Sequence, residues 1–182
     1  VEFTQESVIS VTGEAAENEK APTGYEVQQS ATEVLSKASG ELPISVNQDP
    51  DKLGIDAVLD NRIVSLRIPK IRHIFELQST VAELFAEYLR SQDFTEIKSS
   101  KLIGSGTEGG TGLFSVDYFG EKVFLAQSPQ FYKQAMVASG MERVFEIGAA
   151  YRAEKHDTPR HLNEYVSLDV EMGFIESEKE LM

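Results

Sequence analysis

Val144-Phe145-Glu146-Ile147-Gly148-Ala149-Ala150-Tyr151-Arg152-Ala153 and Tyr165-Val166-Ser167-Leu168-Asp169-Val170-Glu171-Met172-Gly173-Phe174-Ile175 decide the fold. Both alternate with the period of two that belongs to an extended strand. In the second, Val166, Leu168, Val170, Met172 and Phe174 share one face, and Tyr165, Ser167, Asp169, Glu171 and Gly173 the other. In the first, Phe145, Ile147, Ala149 and Tyr151 oppose Glu146, Gly148, Ala150, Arg152 and Glu154. Paired across the polar loop between them, the strands gather Arg152, Glu154, Tyr165, Asp169 and Glu171 on one side. Small residues among them leave a ligand room against the backbone, on a floor rigid enough to hold geometry. Periodicity alone does not separate such a site from the wet face of any half-buried antiparallel sheet.

Working outward, residues 69–92 carry apolar side chains at Ile71, Ile74, Leu77, Val81, Leu84, Phe85, Tyr88 and Leu89, which predicts a long helix with one buried stripe. Pro69 suits its first turn, where a missing N–H costs nothing. Phe94 to Ile97 alternates as a strand, a glycine-rich loop covers 104–112, and residues 123–126 form a short buried strand. Ser128-Pro129 reads as the N-cap and first turn of a helix ending at Gly140. Toward the start, residues 8–13 read as a strand entering a turn and 14–23 as polar, turn-rich chain. Residues 25–28 read as a second strand, which 31–37 extend or follow with a short helix. Pro43, Asn47, Asp49-Pro50 and Gly54 mark a linker. The expected domains are therefore 1–46, the remnant of a small all-β unit, and 47–182, an α+β unit with an antiparallel sheet flanked by helices.

Composition bounds the function. Hydrophobic residues at 41% and charged residues at 26% are ordinary for a globular chain of 182 residues. Without cysteine, disulfides and thiolate metal sites are excluded. A net charge of -13 argues against general nucleic-acid binding, though a local basic patch remains compatible with it. No apolar run is long enough for a membrane helix and no charged-then-apolar leader opens the sequence, so a cytoplasmic protein is expected.

Three motifs resemble one family. Arg152-Ala153-Glu154, Arg160-His161-Leu162-Asn163-Glu164-Tyr165 and Asp169-Val170-Glu171-Met172 resemble motif 2 of the class II aminoacyl-tRNA synthetases, in the form of the aspartyl, asparaginyl and lysyl group. Thr107-Glu108-Gly109-Gly110 resembles the loop that closes over the amino acid in aspartyl enzymes, and Gln127-Ser128-Pro129-Gln130-Phe131-Tyr132-Lys133-Gln134 their aspartate-recognition segment. Leu59-Asp60-Asn61-Arg62 with Leu66-Arg67 resembles the entry to the catalytic domain in the archaeal and eukaryotic branch. The N-terminal third is similar, weakly, to the tail of an OB-fold that reads the anticodon.

The resemblance implies an aspartate–tRNA ligase, with ATP and L-aspartate as substrates, Mg2+ as cofactor, tRNA(Asp) as partner and a homodimer. It implies that Arg152 and His161 are catalytic. ATP would be bound by Arg152, Glu154, Arg160, His161, Leu162 and Tyr165. Aspartate would be bound by Glu108, Ser128, Gln130, Lys133, Arg152 and Asp169, and Glu171 is the candidate for Mg2+. The chemistry asks for such residues: two anions meet when a carboxylate attacks a phosphate, and paired guanidinium donors offset their repulsion. A lysine ammonium gains more from the carboxylate of aspartate than from the amide of asparagine.

Two departures from the family pattern stand out. Ser100 occupies the place of a motif 1 proline expected at the dimer interface, and nothing after Phe174 supplies motif 3 with its ATP-clamping arginine. With Val1 in place of a starting Met, both ends read as cuts, and the 182 residues are expected to be a fragment that is inactive alone. The rival readings are an asparaginyl-tRNA synthetase, a synthetase-like asparagine synthetase, and a non-catalytic binding protein on the same fold.

Overall fold

A computed structural model describes residues 2–106, 112–156, 158 and 160–181. Its contacts divide the chain into two units, Val1–Arg72 and His73–Met182.

The first unit opens with an antiparallel hairpin of β1 (Val8–Glu17) and β2 (Tyr25–Ser36). Strand β2 takes the first of the two alternatives for residues 31–37, extension of the strand, and no helix follows there among the described residues, while β1 runs further than the sequence predicts. The reason lies at Gly13, which the sequence suggested as a turn and which is a bulge instead. The register shifts between Thr12 and Gly13, and a Cβ at Gly13 would stand 2.1 Å from the Gln28 carbonyl oxygen. The chain reverses later, where the Asn18 N–H donates to Gly24 O and Gly24 takes a φ of 78°. A two-stranded hairpin is not a barrel, so the structure does not itself display the expected OB-fold. Asp49 then caps a single turn begun by Pro50, and the short helices α1 (Ile55–Asp60) and α2 (Arg62–Ser65) follow. They are tied together by the buried Ser65, whose Oγ–H donates to Val58 O at 2.8 Å.

Helix α3 (Pro69–Ser91) matches the predicted span within a residue. Its stripe, however, divides. Ala86 and Leu89 are buried with Phe145, and Phe85 meets the Phe145 ring edge-on at 6.0 Å. Ile74, Leu77, Val81, Leu84 and Tyr88 lie around the cylinder from that contact and are exposed, Leu77 by 64%. One sheet covers one strip of a helix, and this stripe is wider than the strip the described residues cover.

That sheet has the order β3-β7-β8. Strand β3 (Thr95–Glu96) joins parallel to β7 (Arg143–Tyr151), which pairs antiparallel with β8 (Glu164–Met172) over nine residue pairs. Phe145 and Val170 face α3, as the alternation required. Phe174, assigned by the sequence reading to the apolar face, lies beyond β8 with a φ of 58° and is 88% exposed. Val166 and Leu168 are exposed too.

A second sheet, β4-β6-β5, is built from β4 (Leu102–Ile103), β5 (Ser115–Tyr118) and β6 (Glu121–Leu125). Phe119-Gly120 turns between β5 and β6 with both φ values positive, as two-residue hairpins prefer. Of these three strands the sequence predicts only β6. Helix α4 (Gln130–Met136) continues as a π turn, Val137–Met141, and stops at Gly140 with a φ of 99°. Its N-cap is Pro129, not Ser128 as expected. The Ser128 hydroxyl stands 3.4 Å from the Gln130 amide. Among the described residues no helix is long and apolar enough to cross a membrane.

Candidate active site

The β7–β8 register brings the polar residues of both strands to one face. Directly opposed residues of an antiparallel pair point the same way, so Glu146 faces Asp169, Gly148 faces Ser167 and Ala150 faces Tyr165. Between the charged ends lie Gly148, Ala150 and Ser167, the small floor expected from the sequence.

At one end a cavity of about 490 Å³ is lined by Arg152, Glu154, Arg160, His161, Leu162 and Tyr165. The six residues named from the resemblance for ATP therefore surround one space. The Arg152 guanidinium lies over the Tyr165 ring, 5.6 Å from its centroid. The loop is fastened locally: Thr158 Oγ1 meets His161 Nδ1 at 2.6 Å and also accepts the Arg160 N–H. The His156 ring rests 5.1 Å from that of His161.

Asn163, to which the sequence assigns no role, braces the backbone of two residues that line the cavity. Its carbonyl accepts the Arg152 N–H at 2.9 Å, and its side-chain Oδ1 accepts the Glu154 N–H at 3.1 Å. One residue thus fixes the backbone that carries two candidate ligands. Only the short, bifunctional amide side chain hinted at this. Gly112 closes against the same segment: its carbonyl accepts the Ala153 N–H, and a Cβ there would stand 2.6 Å from Ala153 O.

At the other end α4 delivers Lys133, which is 5% exposed. Its Nζ donates to Asp169 Oδ1 at 3.0 Å and to Val170 O at 3.4 Å, with Glu171 Oε2 at 3.7 Å. Gln130 Nε2 donates to Glu171 Oε2 at 3.4 Å. Gln130, Lys133, Asp169 and Glu171 are therefore one cluster, and half-buried Ser128 lies just before the start of α4. The Lys133 charge is already engaged by protein carboxylates. Glu108 lies outside the described residues.

For magnesium the donor set matters. Glu171 is turned to Lys133 and Gln130, and among the described residues no group of three histidines or carboxylates could hold a metal. Glu171 as placed does not fit that ion, which takes near-octahedral oxygen coordination.

On the same face, over Gly148, lies a second ion pair that the sequence did not single out. Glu146, 1% exposed, accepts from Ser99 N–H at 2.9 Å, from Ser99 Oγ–H at 2.6 Å and from Lys101 Nζ at 3.0 Å. Burial alone would push the Glu146 carboxyl up. The hydrogen bonds from Ser99 and Lys101 outweigh it and hold the group below the ordinary carboxylate range. A lone Glu on a polar strand face gives no sign of such burial.

Comparison with known proteins identifies the fold and the family. The model for tRNA synthetases class II (D, K and N) matches residues 54–182. The chain is 49% identical over 177 residues to the aspartate–tRNA(Asp/Asn) ligase of Thermus thermophilus, covering 97% of this chain and 42% of that protein. It is 47% identical over 180 residues to the ligase of the same description from Methanopyrus kandleri, covering 99% and 42%. Among solved structures, a putative aspartyl-tRNA synthetase from Leishmania major superposes with a TM-score of 0.86 at 32% identity, covering 98% of this chain and 36% of that one. Asparaginyl-tRNA synthetase from Pyrococcus horikoshii, complexed with asparaginyl-adenylate, gives 0.85 at 31% identity, covering 95% and 39%. The chain spans about two fifths of the length of the curated relatives it matches. With its strand–loop–strand site and a family match over residues 54–182, the chain belongs to the class II tRNA synthetases of the aspartyl, lysyl and asparaginyl group.

Proposed function

We propose that this chain carries part of the adenylation site of an aspartate–tRNA ligase. The observation that carries the reading is the cavity ringed by Arg152, Glu154, Arg160, His161, Leu162 and Tyr165, with the Lys133 cluster on the same sheet. In the first step an oxygen of the aspartate α-carboxylate attacks the α-phosphorus of ATP, and pyrophosphate leaves with the electron pair of the broken bond. A ribose hydroxyl at the end of tRNA(Asp) then attacks the aspartyl carbonyl. AMP departs as that hydroxyl gives up its proton.

The residues suit these steps. Arg152 offers planar paired donors to the α-phosphate and the attacking carboxylate, and its place over Tyr165 limits its freedom before substrate arrives. The Tyr165 ring is the stacking surface for adenine, with Glu154 as an acceptor for its amino group. Arg160, His161 and Leu162 line the outer side, where phosphates or the tRNA end would lie. Lys133 reads the aspartate side chain, with Gln130 and Ser128 beside it, while Asp169 and Glu171 hold its ammonium in place. Glu108 is proposed for the α-amino group. The resemblance implies magnesium with the ATP, where it would offset the phosphate charge.

The wider assignments follow the same reading. The β1–β2 hairpin belongs to an OB-fold anticodon module over residues 1–46, and residues 47–182 belong to the catalytic domain. The exposed Ile74, Leu77, Val81, Leu84 and Tyr88 of α3 support a homodimer, since a patch of this kind marks an interface. The location proposed is the cytoplasm.

Asparagine is the rival substrate, favoured by one observation: Lys133 already has carboxylate partners, so a neutral amide adds no unpaired charge. ATP–pyrophosphate exchange separates the two on the protein at its full natural length. Aspartate should support exchange and asparagine should not.

A further inference from the structure

Four charged residues stand in a row across the sheet face: Lys101, Glu146, Asp169 and Lys133. Glu146 and Asp169 are directly opposed in the β7–β8 register, which places two carboxylates side by side on one face. Like charges in that position repel. Each is drawn outward to its own lysine, Glu146 to Lys101 and Asp169 to Lys133, both at 3.0 Å. Lys101 reaches over the floor itself, since a Cβ built on Gly148 would stand 3.1 Å from its Nζ and 3.0 Å from Glu146 Oε1. Asp169 is the diagonal neighbour of Gly148, a separation of about 7–8 Å between Cα atoms that long side chains span.

Asp169 therefore has two cations within reach, and the charge on Glu146 decides between them. While Glu146 is ionised, it occupies Lys101 and repels Asp169. We propose that Glu146 is a positioning residue for amino-acid selection: it keeps Asp169 and Lys101 apart and so holds Asp169 on Lys133. The inference rests on the proposed role of Lys133 in reading the substrate. Neutralising Glu146 leaves Lys101 without its carboxylate. Asp169 turns to Lys101, and the Lys133 ammonium, released on that side, moves toward Glu171 and away from where aspartate is read.

Glu146→Gln isolates the charge, because glutamine keeps the shape and an acceptor for the Ser99 amide. The test is aspartate-dependent ATP–pyrophosphate exchange by the protein at its full natural length. Glu146→Gln should raise KM for aspartate about tenfold with kcat little changed. The double variant Glu146→Gln/Lys101→Met removes the competing cation and should return KM to within about threefold of the parent. Lys101→Met alone should leave KM unraised, since Ser99 still anchors Glu146 and Asp169 is still repelled. A network that only braces the fold would behave otherwise, with damage that accumulates in the double variant. An unchanged KM in Glu146→Gln, or a double variant no better than the single, overturns the proposal. If Glu146→Gln does not fold, Lys101→Met decides: a KM raised about tenfold there overturns it as well. A parent protein inactive with aspartate would sink the functional reading and this inference together, whereas an active parent with unmoved KM values would sink the inference alone.

Discussion

The Lys133 ammonium donates to Asp169 Oδ1 at 3.0 Å with 5% of the lysine exposed, so the proposed specificity cation is already paired before any substrate arrives. Removing it leaves Asp169 and Glu171, with side chains 16% and 26% exposed, without their shared cation. Lys133→Ala should therefore lower folding stability by about 2–4 kcal/mol, somewhat below the full cost of breaking a buried pair. It should also raise KM for aspartate. Urea denaturation and exchange kinetics measure the two effects separately, and a variant as stable as the parent would contradict the burial argument.

Arg152→Lys keeps the charge but gives up the planar fork and most of the contact with the Tyr165 ring. Losing one donor aimed at developing charge costs about 10²–10³ in kcat. The expected result is a fall of that size in aspartate-dependent exchange with the thermal midpoint nearly unmoved. A loss below about threefold would remove Arg152 from the proposed chemistry.

Glu146 sets an acid dependence of stability. Its folded pKa lies below its ordinary value of 4.5, so the unfolded chain binds the proton first as pH falls. The stability it contributes is complete above the ordinary value and is lost as pH falls through the folded one. Urea midpoints followed downward from pH 6 should decline more steeply in the parent than in Glu146→Gln over that window. Parallel slopes would contradict this.

Phe145 is fully buried between Phe85, Ala86 and Leu89 of α3 and Val170 of β8. Phe145→Ala should cost about 3–5 kcal/mol by urea denaturation, because the cavity lies where helix and sheet hold one another apart.

Leu77 belongs to the exposed apolar face of α3. If that face joins two copies, Leu77→Glu should shift the protein from dimer to monomer in light scattering while leaving its far-UV circular dichroism unchanged. A dimer that survives the substitution would place the interface elsewhere.

Much of this was legible in the sequence for physical reasons. The period-two alternation gave the faces of β7 and β8, and the resemblance to motif 2 named six residues that line one cavity. Other features depended on partners distant in the chain. Gly13 looked like a turn because a bulge and a turn both use glycine, and only the approach of Gln28 distinguishes them. The α3 stripe could not show which of its apolar positions meets a sheet, since periodicity gives a face but not what covers it. The burial of Glu146 depends on Ser99 and Lys101, more than forty residues earlier. Asn163 acts through two backbone groups that no side-chain pattern displays.

Amino-acid-dependent ATP–pyrophosphate exchange tests the central claim most directly, measured on the protein at its full natural length with aspartate and asparagine compared. The account predicts exchange with aspartate, none with asparagine, and a sharply raised aspartate KM in Lys133→Ala. Exchange with asparagine but not aspartate, or with neither, would contradict it.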